Sequence, residues 1–207
     1  MASGFLFQSR KPAIFVDETA RRQAGRFGMW LFLLTLAIIF ASTILAFVVV
    51  RIGPTNQGRW PPVGAPPLPL TLLASTLVLF LSDASMHVAR VAASRGERST
   101  GGWMATTLAL ALGFVALQMV AWSAAARANL IVTEDLYAWT FYVLTALHAA
   151  HVIGGVVPMS LVTVRAIRGE YGPGRDDGVV YCAMYWHFLD IVWLALYATL
   201  WWGSQRW

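Results

Sequence analysis

Six ionisable side chains interrupt long apolar runs of this sequence: Asp83 with His87, His148 with His151, and His187 with Asp190. Carboxylates and imidazoles ligate metals and haem iron and pass protons, and inside an apolar segment each is costly enough to need a reason. The spacing is i,i+4 for the first pair and i,i+3 for the other two, so each pair shares one helix face. Three chemistries fit: a metal site, a bis-histidine haem site, or a polar cluster that joins helices or handles protons. A di-metal carboxylate centre takes about six ligands. The apolar runs offer only two carboxylates, and the whole chain has four histidines. The ligand count disfavours a metal and favours cohesion or proton handling, with interhelical hydrogen bonds worth about 0.6–2 kcal/mol each. A haem held by His148 or His151 together with His187 stays open. No phosphate loop, serine nucleophile motif or zinc spacing is present, Cys182 is the only cysteine, and no catalytic residue is assigned.

The elements that position these groups follow from composition. Of the residues, 58% are hydrophobic and 12% charged, against about 25% charged in a soluble domain. Crossing a bilayer as a helix takes about 20 apolar residues. Five continuous runs reach that length: 27–50, 68–92, 103–125, 137–164 and 179–202. The predicted fold class is all-α, a polytopic bundle of five transmembrane helices (27–203) preceded by a cytoplasmic N-terminal segment (1–26). That segment holds Arg10, Lys11, Asp17, Glu18, Arg21, Arg22 and Arg26 and does not read as a cleaved signal. The connections carry turn chemistry: a proline-rich strap from Gly53 to Pro69, then Ser94–Arg98, Arg127–Asp135, and a stretch with Gly169, Gly172, Pro173 and Gly174. Gly101-Gly102 and Gly154-Gly155 are small-residue sites for close helix contact, Gln118 reads as interhelical glue, and Pro158 is a candidate kink.

Eleven of the 15 Lys+Arg fall in the N-terminal segment and in the second and fourth connections. Arg51, Arg59, Arg127 and Arg206 lie on the other side. The bias predicts a cytoplasmic N-terminus and an outside C-terminus, and it accounts for the net charge of +5 without nucleic acid. Trp60, Trp103, Trp139, Trp201, Trp202 and Trp207 sit near span ends as interfacial anchors do. At 1.5 Å per residue, Asp83 and His151 lie roughly 20 Å from the outer entry of their spans. His187 and Asp190 lie roughly 12–17 Å from the inner entry of theirs. All four therefore share a depth.

The last span reads Tyr185-Trp186-His187-Phe188-Leu189-Asp190-Ile191-Val192-Trp193. It closely resembles the last helix of subunit III of haem-copper oxidases. Leu147-His148-Ala149-Ala150-His151-Val152-Ile153-Gly154 is similar to that family's His-Gly-Leu-His-Val-x-x-Gly, Gly28-Met29-Trp30-Leu31-Phe32 to its Gly-x-Trp-x-Phe, and Gln118 to the glutamine that ends its third common helix. The family motif residues are thus Gly28, Trp30, Phe32, Gln118, Trp186 and Trp193. Two positions depart: Leu36 and Ala121 stand where the family has glutamates. The first of those is linked to proton uptake or oxygen delivery, and the resemblance does not carry that role over.

The resemblance implies a five-helix bacterial type, without the first two of the longer members' seven spans. It implies a non-redox accessory subunit III of a proton-pumping terminal oxidase that packs on subunit I and supports its stability, lipid binding and proton uptake. Haem and copper would reside in partner subunits I and II, with no metal or cofactor in this chain and phospholipid as a bound partner. The location implied is the bacterial inner membrane. The alternatives are a haem-binding membrane electron carrier, a subunit of a related complex such as a nitric oxide reductase, and a small transporter, for which no inverted repeat is present. His187→Ala or Asp190→Ala is expected chiefly to destabilise the bundle.

Overall fold

A computed structural model describes residues 18–53, 60–62, 65, 67–128, 130 and 136–205. Arg10, Lys11, Asp17, Arg59, Asp135, Arg206, Trp207 and most of the proline-rich strap lie outside the described residues. Five helices form: α1 (Glu18–Ile52), α2 (Leu70–Arg95), α3 (Thr100–Arg127), α4 (Leu136–Ile167) and α5 (Asp177–Gly203). The shortest, α2, has 26 residues and is about 39 Å long, more than a hydrocarbon core of about 30 Å requires. All five are long and apolar enough to cross a membrane.

Helix α1 starts at Glu18, well ahead of the apolar run that begins at Phe27. Nothing in Glu18–Arg26 breaks a helix outright, and two contacts hold this extension. Arg22 Nε lies 3.5 Å from Asp177 Oδ2 at the start of α5, and the Tyr181 ring covers Gly25. Helix α4 runs unbroken through Pro158.

Helices α2 to α5 close into a ring, each packed on its neighbours in chain order and α5 back on α2. Helix α1 stands outside this ring. Its backbone follows α5, comes briefly near α4, and does not approach α2 or α3. The centre of the ring holds Trp186, Trp193, Phe114, Met104 and Leu189, all essentially inaccessible, and Phe40 reaches in from α1.

The turns at the N-terminal end of the bundle close in the same way. After α2, Gly96 adopts φ +69°, its N–H donates to the Ala93 carbonyl, and that of Glu97 donates to the Ala92 carbonyl. After α4, Gly169 adopts φ +72°, with matching bonds from Gly169 to Ala166 and from Glu170 to Arg165. This pairing satisfies the last helical carbonyls and requires a left-handed residue, hence glycine. The two turns also touch, since a Cβ on residue 96 would stand 2.8 Å from Pro173 Cδ.

Of the small-residue pairs, one member each makes the close approach. A Cβ at Gly101 would come within 2.8 Å of Ile167 Cα, so α3 and α4 meet backbone to backbone there. Gly155 faces the Tyr185 ring, whereas Gly102 and Gly154 have nothing within 4 Å of a Cβ.

Candidate functional site

Helices α2 and α5 meet through polar side chains over three turns. Trp193 Nε1 donates to Thr76 Oγ1 at 2.9 Å, and Trp186 Nε1 donates to Ser82 Oγ at 3.1 Å. Ser82 Oγ in turn donates to the Thr107 carbonyl of α3 at 3.2 Å, and Ser85 Oγ lies 2.7 Å from Thr107 Oγ1. A buried indole N–H needs an acceptor, and in an apolar bundle a hydroxyl from the facing helix supplies it. At the very next residue after Trp186, toward the lateral surface, His187 Nδ1 is hydrogen-bonded to Asp83 Oδ1. The His87 ring follows, 6.4 Å from that of His187 between centroids. Behind Asp83, the Asp190 carboxyl is 6% exposed and close enough to that of Asp83 to interact with it.

The six ionisable residues therefore divide. Asp83, His87, His187 and Asp190 gather on the α2–α5 seam. His148 is fully buried among aromatic rings, 5.0 Å from Trp193, 5.7 Å from Phe114 and 6.3 Å from Phe40, and neither ring nitrogen has a hydrogen-bond partner among the described residues. His151 lies on the α1 side of α4. Its Nδ1 is 2.7 Å from the Leu147 carbonyl, its ring is 5.0 Å from Phe40, and Tyr185 Oη donates to its carbonyl at 2.9 Å. Ligating an iron through His148 would require displacing the aromatic rings packed around it. Among the described residues no three His, Cys, Asp or Glu side chains are grouped as metal ligands.

Gln118 is buried, and its amide has no partner among the described residues. In α1, Gly28 and Trp30 face outward, Trp30 at 65% exposure, while Phe32 stacks on Tyr185 at 6.1 Å. Leu36 and Ala121, the two departures from the family pattern, are both buried.

Arg51 was not among the sequence candidates. It ends α1, is 6% exposed, and donates to the carbonyls of Trp202 and, at 3.0 Å, Gln205, with its guanidinium 3.6 Å over the Trp202 ring. Trp60 joins it by donating to the Gly203 carbonyl at 3.1 Å. The signal was present in the sequence: an arginine continuing an apolar helical run right up to Gly53-Pro54, opposite a terminal Trp-Trp-Gly. A helix C-terminus offers several unfilled carbonyls, and arginine carries five donors.

The family model described as cytochrome c oxidase subunit III matches residues 13–205. Proteins named cytochrome c oxidase subunit 3 are similar over 86% of this chain and 70% of their own length: that of Gallus gallus at 36% identity, that of Coturnix japonica at 35%, and that of Ornithorhynchus anatinus at 35%. With its tryptophan- and histidine-bearing last helix packed at the centre of an apolar bundle and a family match across nearly its whole length, the chain belongs to the cytochrome c oxidase subunit III family.

Proposed function

We propose that this chain works as an accessory subunit without a redox centre of its own in a proton-pumping terminal respiratory oxidase, packed on subunit I in a bacterial inner membrane. The supporting observation is how its ionisable groups are used. Asp83 and His187 bond to each other across two helices, and His148 and His151 are taken up by aromatic packing and by a backbone carbonyl. Such contacts hold helices in register. Haem and copper belong to subunits I and II in this reading. The N-terminus faces the cytoplasm, following the arginine bias across the connections.

Lipid is the second partner. An apolar fissure of about 320 Å³ opens between α1 and the α4–α5 pair, lined by Met29, Phe32, Gly155, Pro158, Met159 and Tyr185. Its walls suit an acyl chain. Support for proton uptake would have to come from elsewhere than residues 36 and 121, which are Leu and Ala and buried.

The test is purification of the tagged chain in mild detergent, with identification of co-purifying chains and a reduced-minus-oxidised spectrum. The expected result is a haem-containing complex whose haem leaves with the partner subunits when this chain is stripped off. A Soret band retained by the isolated chain would favour an electron carrier. Co-purification with a nitric oxide reductase would move the chain to that complex.

A further inference from the structure

The Asp83–His187 pair is not enclosed. Their side chains are 31% and 29% exposed, and His87 beside them is exposed outright. Taking Arg90 as the level of the membrane surface, Asp83 lies about 10 Å deeper by helical rise. A side chain at that depth faces protein or hydrocarbon, and ionisable groups are not left against hydrocarbon.

The surroundings form a single face. Helix α5 is flanked by α2 on one side and by α1 on the other, and α1 does not approach α2, so a strip of α5 lies open between them. That strip continues from His187 through Ile191 (67% exposed) to Leu194 (39%). The adjoining edge of α2 presents Phe80 (48%), exposed Ala84 and His87. The polar balance of the face is one-sided. Asp83 accepts from His187, and the buried Asp190 carboxyl behind it interacts with Asp83 and not with a basic group among the described residues. Carboxylate oxygens each accept more than one bond, so the cluster has acceptors to spare.

We propose that this α2–α5 face is where the chain docks on a transmembrane helix of the haem-bearing subunit, and that the docked helix places a hydrogen-bond donor side chain, basic or amide, against Asp83. The inference rests on the reading of the chain as an oxidase subunit and adds which surface is used and what chemistry meets it.

The test uses the intact complex with Ala84→Trp and Ile191→Trp, which enlarge exposed positions, and with Leu112→Trp on α3 across the ring as a control. Each tryptophan on the face is expected to lower co-purified haem per tagged chain by about tenfold or more, with membrane abundance unchanged and the control retained. Asp83→Asn can still accept from His187 but loses the charged acceptor, and it should weaken retention severalfold. A wild-type complex untouched by either face tryptophan would overturn the face alone, whereas a wild-type chain recovered without haem-bearing partners would overturn the subunit reading and the face together. Full retention by Asp83→Asn would overturn the donor. Recovery of Ile191→Cys as a disulfide-linked pair of this chain in the complex would give the face to a second copy and overturn the proposal.

Discussion

Helix α5 is gripped on two sides by different means. Toward α2 the grip is polar and distributed, with Trp193 on Thr76, Trp186 on Ser82 and His187 on Asp83, all within the span. Toward α1 the middle is apolar, with Phe32 on Tyr185 and Phe40 reaching past α5 to the histidines of α4. Among the described residues, charge appears there at the two ends, as Arg22 on Asp177 and Arg51 on the carbonyls of Trp202 and Gln205. Hydrophobic burial drives helices into lipid and not onto one another, so contacts between them rely on packing and interhelical hydrogen bonds. The α2 seam uses both along its length. The α1 seam uses packing along its length and clips at its ends, which leaves a fissure between α1 and the α4–α5 pair.

The largest effect that would break this contrast is expected from Trp193→Ala. The side chain is 0% exposed and touches α2, α3 and α4 at once. Its removal should cost about 3–5 kcal/mol, read as a lowered unfolding midpoint of the whole chain in detergent. If only α1 came loose, the central role given to the α2–α5 seam would be wrong. Arg51→Ala should cost about 1.5–3 kcal/mol by freeing carbonyls that a charged donor now fills. Its signature is local: faster amide exchange in the last turns of α1 and α5, with α2 and α3 unchanged. Ser82→Ala removes the acceptor of the Trp186 indole and should cost about 0.6–1.7 kcal/mol, the range measured for such bonds inside membrane bundles. A matched Trp186→Phe should cost less in the Ser82→Ala background than in the wild type, the remainder being packing lost with the larger ring, and equal costs in the two backgrounds would show that the bond is not shared. The smallest effect is expected from Arg22→Ala, about 0.2–1 kcal/mol, because that ion pair is partly exposed, and the difference should shrink as salt is added.

The five helices were legible in the sequence because hydropathy reports the solvent, and lipid as solvent demands long uninterrupted apolar runs. The glycine-closed turns were legible because a left-handed residue has a local signature. The start of α1 was not, since a cut at Phe27 marks where lipid begins and not where the helix does. The partners of the polar side chains were not legible either. Helical spacing showed that His187 and Asp190 share a face, but which helix stands opposite is a property of the assembled ring. Asp83 and His187 are paired because α5 returns to pack on α2, and no local pattern encodes that return. His148 and His151 share a face of α4 with the same spacing and end in different surroundings for the same reason. Arg51 was half legible: the apolar run leading up to it marks a helix end, but its partners are backbone carbonyls, which have no side-chain signature.

The contact between Gly96 and Pro173 makes one position sensitive to two separate events. A side chain at residue 96 meets the torsional penalty of positive φ as soon as the α2–α3 turn closes. It meets the ring of Pro173 only once the α4–α5 hairpin has come alongside. Comparing Gly96→Ala in the full chain with the same change in a Pro173→Ala background would therefore separate the cost of shaping one hairpin from the cost of seating it against the other. This single glycine thus reports both on how one hairpin is shaped and on how closely the two hairpins are seated.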